Sequence, residues 1–142
     1  MEGQLELFRS HHQLQEKYVF YIIALCVSAI GFSVYCTMGK PLQYSQIALL
    51  IAVLSWGFSI YCGLNYIKNL LYATKGNFDR ITSLNNIRQG SEPDPIYFLM
   101  LDINDKDVAE NLIIYGKCQE YLFYSGIVTF IIWHILQMYL TI

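Results

Sequence analysis

Three stretches of this chain carry no charged side chain, and they are separated by polar segments of unequal length. The stretches are Tyr18–Met38, Gln46–Ile67 and Tyr121–Ile142. Roughly 20 apolar residues in helical conformation cross a hydrocarbon core of ~30 Å. The pattern therefore predicts an all-α membrane protein with three transmembrane helices. Residues 1–17 form a cytoplasmic N-terminal helix, 18–38 the first span, 39–45 an external loop and 46–67 the second span. Residues 68–120 form a small cytoplasmic segment, and 121–142 the third span.

Within the spans, small residues recur at helical spacing. Ala48, Ala52, Ser55, Ser59, Cys62 and Gly63 make one stripe in the second span, and Cys26, Ala29, Ser33 and Cys36 make another in the first. Small stripes let helices approach closely where lipid gives no hydrophobic drive for association. With only Gly39-Lys40-Pro41 and a few further residues between them, the first two spans are expected to form a tight antiparallel hairpin. Gly39 ends the first helix in left-handed conformation, and Ser45 caps the second. Tyr18, Tyr21 and Tyr35 lie at headgroup depth.

Between the second and third spans the pattern predicts several short elements. Lys75-Gly76 reads as a helix end, and Asn77 as the cap of an amphipathic helix carrying Phe78, Ile81, Leu84 and Ile87, candidates for partner docking. Gln89 to Pro95 reads as a loop. Ile96–Leu101 has the content of a short strand. Asp102–Asp107 lacks the glycine and glutamate of a calcium loop. Asn104 or Asp105 instead caps a long helix from Val108 to Ile142.

Composition sharpens this picture. Hydrophobic residues make up 55% of the 142 residues and charged residues 14%, well below the soluble norm of about 25% charged. The net charge of −2 gives nucleic acid no basic surface to bind. Lysine and arginine are distributed unevenly. Arg9, Lys17, Lys68, Lys75, Arg80, Arg88, Lys106 and Lys117 fall on one side of a three-span topology, and Lys40 alone on the other. That side is cytoplasmic by the positive-inside rule, which leaves the C-terminus external. The start of the chain has neither a signal-peptide nor a transit-peptide pattern, which favours a bacterial inner membrane.

Candidate chemistry is sparse. No nucleophile elbow, P-loop, HExxH motif, paired metal-ligand cysteines or dinucleotide fingerprint occurs, so no enzymatic activity, metal or cofactor is expected. No acidic or basic side chain sits at mid-membrane, where proton-coupled transporters commonly need one. Cys26, Cys36, Cys62 and Cys118 lack CxxC spacing and read as small packing residues. Adjacent His11 and His12 point about 100° apart on a helix and read as interfacial side chains.

The remaining polar candidates lie in the third span. Ser125, Thr129 and Gln137 fall close to one face, with His134 roughly opposite. They serve either as helix-packing groups or as the wall of a pore in a homo-oligomer. In layout, three spans with a small cytoplasmic segment, the chain resembles the small membrane subunits of bacterial anti-phage systems. That resemblance implies a pore-forming or membrane-perturbing effector in the lipid bilayer, controlled by a cytoplasmic protein partner or ligand. The alternative is a non-conducting binding protein, an immunity protein or a membrane anchor, in which Ala52 and Ser59 grip the target.

Overall fold

The computed structural model describes residues 2–39, 44, 46–90 and 95–140, with side chains for 13–39, 44, 46–90, 95–97 and 99–139. Ser45, Lys40 and Pro41, and the side chains of His11 and His12, lie outside the described residues. The described chain is three helices: α1 (Glu2–Thr37), α2 (Gln46–Arg88) and α3 (Pro95–Leu140). Each is long and apolar enough over part of its length to cross a membrane.

The lengths matter. At 1.5 Å per residue, the 36, 43 and 46 residues of α1, α2 and α3 reach about 54, 65 and 69 Å. A bilayer core of ~30 Å covers about half of α2 or α3. The apolar halves make the spans; the charged halves, 68–88 and 95–120, form an arm.

The C-terminal ends of α1 and α2 follow ordinary capping chemistry. Gly39 has φ +78° and Gly90 has φ +103°, the left-handed region in which glycine has no Cβ to clash. The Gly90 N–H donates to the Ile87 carbonyl at 3.0 Å. Pro95 opens α3, where its missing N–H costs no intrahelical bond.

Three expectations for the middle of the chain are corrected. Lys75-Gly76 does not end a helix, because α2 continues unbroken to Arg88 and carries Phe78–Ile87 on the same rod. Gly76 is buried, and a Cβ there would stand 3.3 Å from Asp105 Oδ1. The glycine is a point of close approach, and that packing offsets its intrinsic helix penalty of about 1 kcal/mol. Ile96–Leu101 is helix, not strand. Six residues are too few for periodicity to separate the two, and no second strand exists among the described residues to pair with. Asn104 and Asp105 cap nothing: α3 has already begun at Pro95, and Asp105 faces Arg80 across the pair at 3.0 Å.

α2 and α3 share most of the inter-helix contact, whereas α1 packs mainly on α2 and meets α3 at few residues. The α2 seam is Leu49, Ala52, Trp56, Ser59, Gly63 and Leu70, which follows the three-and-four alternation of a coiled coil. Its counterpart on α3 is Leu112, Gln119, Gly126 and Trp133, seven residues apart, with all but half-buried Leu112 enclosed. Contacts run in opposite order along the two helices, from Trp56 on Gly126 to Arg80 on Asp105. The core of the spans is Ile22, Cys26, Ala52 and Trp56, with Phe123 and Phe130 packed against it.

Candidate functional site

The three helices meet at Gln119. It is the largest fully enclosed side chain, 1% exposed, although it lies in a stretch whose sequence is polar enough for water. Its Nε2 donates to the Val19 carbonyl of α1 at 3.4 Å. Its own carbonyl accepts the Ser59 hydroxyl of α2 at 2.8 Å. A single residue thus bridges both neighbours, and an unpaired buried amide would cost about 1–3 kcal/mol.

Gly63 makes room for this bridge. A Cβ at residue 63 would lie 2.5 Å from Gln119 Nε2 and 3.1 Å from Ile23 Cδ1. Next to it, the Cys62 thiol meets the Cys118 sulfur at 3.4 Å. Cys26 is completely buried beside Ser59. Above the junction, an open cavity of about 520 Å³ includes Tyr18, Tyr66, Leu70, Leu112, Lys117 and Glu120 in its lining.

The small-residue candidates are largely consumed by the chain's own packing. Ser33, Ala52, Ser59 and Gly63 are buried; Ala29, Ala48 and Ser55 are half-buried. The Ser33 hydroxyl donates to Ala29 O of its own helix at 2.8 Å. Ala52 belongs to one buried cluster with Ile22, Cys26 and Trp56, while Ser59 bonds α3. The stripe of the second span therefore serves two neighbours, and at Gly63 it meets both: Ile23 of α1 and Gln119 of α3.

The polar candidates of the third span are not gathered into one enclosed site. Ser125 is exposed on the outer face, and Thr129 is half-buried with its hydroxyl on Ser125 O at 2.8 Å. Gln137 lines a cleft of about 440 Å³ with Cys36, Phe130, Trp133 and His134. His134 is exposed, its ring 6.3 Å from that of Trp133. Trp133 itself turns inward, 4% exposed, and packs on Phe130 at 5.3 Å. Among the described residues, neither its indole N–H nor that of Trp56 has a partner.

Of the docking candidates, Phe78, Ile81 and Leu84 are more than half exposed, and Ile87 is half-buried. Ile96, Leu99 and Met100 are exposed near the start of α3. The arm thus presents apolar side chains in a region too charged to lie in lipid. Among the described residues, its ion pairs are Arg80 with Asp105 at 3.0 Å and with Asp102 at 3.8 Å, and Lys106 with Asp102 at 3.8 Å. Among the described residues, no three of His, Cys, Asp and Glu converge as metal ligands would.

Sequence reasoning missed Gln119 and the Cys62–Cys118 contact. The signal for Gln119 was available: it stands seven residues before Gly126 and fourteen before Trp133, so it shares their face. No such rule pairs two cysteines on different helices. No protein-family model matches this sequence, and neither curated proteins nor solved structures give a match.

Proposed function

We propose that this chain is a non-enzymatic bacterial inner-membrane protein that assembles with copies of itself and permeabilises or perturbs the bilayer. In this reading the N-terminus and the arm are cytoplasmic, the first two spans form a hairpin with residues 39–45 outside, and the C-terminus is external. A cytoplasmic partner or ligand acts on the arm, and the continuous α2 and α3 rods carry that action into the spans.

The observation that supports assembly most is the bareness of the third span. Its chain covers only 11% of the most apolar window of α3, against 33% for α2. Lipid alone can cover apolar side chains, but the uncovered surface also carries Ser125 and His134, on opposite sides of the helix. Polar groups facing lipid are costly, and an interface between copies or a hydrated axis relieves that cost. The layout shared with small anti-phage membrane subunits makes phage challenge the first cellular setting to try.

Purified protein in nanodiscs should show a defined oligomeric mass, and the same sample in planar bilayers should give discrete conductance steps. Ser125→Trp should change the unitary conductance. A monomer that stays silent overturns the reading.

The exposed Phe78, Ile81 and Leu84 favour a second reading, a non-conducting anchor that docks a partner through its arm. Serine at Phe78 and Leu84 then abolishes the cellular effect. A pore that works without a partner would keep its conductance in those variants.

A further inference from the structure

The Cys62–Cys118 contact has no part in the function proposed above. The two thiols come from different helices, 56 residues apart in sequence, and their sulfurs stand 3.4 Å apart. The Ser59–Gln119 hydrogen bond and the seat of Gln119 against Gly63 bracket them. These flanking contacts fix the register of α2 on α3 at this point. From the present sulfur separation, only about 1.4 Å remains to the about 2 Å of a disulfide.

The two sulfurs also differ in access. Cys62 is buried, 7% exposed. Cys118 is half-exposed, between Lys117 and Glu120, which are both exposed. An oxidant arriving from water therefore meets Cys118 first. Cys26 is fully enclosed, and Cys36 lies near the opposite end of α1.

We propose that Cys62 and Cys118 form a hydroperoxide-sensitive dithiol whose oxidation covalently joins α2 to α3. The Cys118 sulfur, as thiolate, attacks the terminal oxygen of a hydroperoxide. The O–O bond breaks, an alcohol or water leaves, and Cys118 becomes a sulfenic acid. The Cys62 sulfur then attacks Cys118, an S–S bond forms, and the sulfenic oxygen leaves as water with the Cys62 proton. In sum, two thiols and one hydroperoxide give one disulfide, one water and one alcohol, the alcohol being a second water when the oxidant is hydrogen peroxide. A dithiol reductant reverses the change by exchange. The crosslink lies where the arm enters the spans, so the oxidised pair can no longer slide or splay there.

The test uses the full chain in nanodiscs, treated with hydrogen peroxide, quenched with a maleimide and analysed by mass spectrometry. Labelling of Cys62 and Cys118 should fall together by about tenfold or more, and a peptide pair joined through these two residues should appear. The protein should stay unlinked to other copies on a non-reducing gel, and dithiothreitol should restore both labels. Cys36→Ser should leave the linked pair unchanged, whereas Cys118→Ser should protect Cys62 from loss. Overturning results are a sulfenic or sulfinic Cys118 with Cys62 still free, a crosslink between copies, or a disulfide through Cys26. Because the wild-type chain alone gives the decisive linked peptide, a variant that misfolds does not obscure the outcome. The readout is independent of conductance, so a silent protein leaves it intact.

Discussion

The junction around Gln119 and the tip of the arm around Arg80 solve the same problem, holding α2 on α3, with opposite chemistry. At the junction the contacts are enclosed: an amide, a hydroxyl and a glycine surface, with no charge. At the tip the bonds are charged and half in solvent, with Arg80 37% and Asp102 60% exposed at the side chain. Apolar residues such as Phe78 point outward beside them. The difference follows from the surrounding solvent. At the junction, where the arm meets the spans, the contacts are shut off from solvent, so close approach and internal hydrogen bonding bind the helices. In water, ion pairs can be solvated, and each contributes little.

That contrast is broken most severely where a side chain is forced into a glycine surface. The Trp56 indole lies against Gly126 so closely that any Cβ would collide with it. Gly126→Leu should therefore cost roughly 1–3 kcal/mol by overpacking, seen as a lower thermal midpoint in nanodiscs. The same substitution at Gly57, where no atom lies within 4 Å of a Cβ, should have almost no effect. An equal loss at both sites would mean that α2 and α3 do not pack in this register.

A smaller effect is expected from Gln119→Leu. It removes the link to Val19 but keeps the backbone carbonyl that accepts Ser59. Hydrogen bonds between membrane helices are worth about 0.6 kcal/mol on average. Hydrogen exchange should rise in α1 near Val19 while the α2–α3 seam stays protected. Uniform loosening of all three helices would show that Gln119 supports more than the attachment of α1.

The smallest effect belongs to the arm. Arg80→Ala should cost under about 1 kcal/mol, and high salt should erase the difference from wild type. Asp105→Asn should matter more than Asp102→Asn, because Asp105 is both nearer to Arg80 and less exposed. A loss that persists in high salt would mean that the tip is covered by another chain and behaves like the junction.

Much of the junction was legible in residue types and little of it in pairings. The stripe containing Ala52, Ser59 and Gly63 announces a close-packed face, but its spacing is equally compatible with α1, α3 or a second copy. Packing joined Ala52 to a cluster fed by all three helices and gave Ser59 to α3. Gly76 was misread because an isolated glycine in a polar stretch carries the same local signal whether it ends a helix or admits a neighbour. Asp105 was misread for a related reason. An acidic residue suits a helix start, and only the approach of Arg80 from α2 makes it a partner between helices.

By itself, the sequence determined the helical class, the three apolar stretches and the end of α1 at Gly39. These depend on transfer of side chains out of water and on local backbone preference, which neighbouring residues settle among themselves. The tertiary structure alone decided that α2 and α3 run unbroken into a common arm, that Gln119 is buried, and that Cys62 meets Cys118. Each of these depends on a residue more than twenty positions away in the chain. Helical periodicity tells which residues share a face; it carries no information about which helix will cover that face.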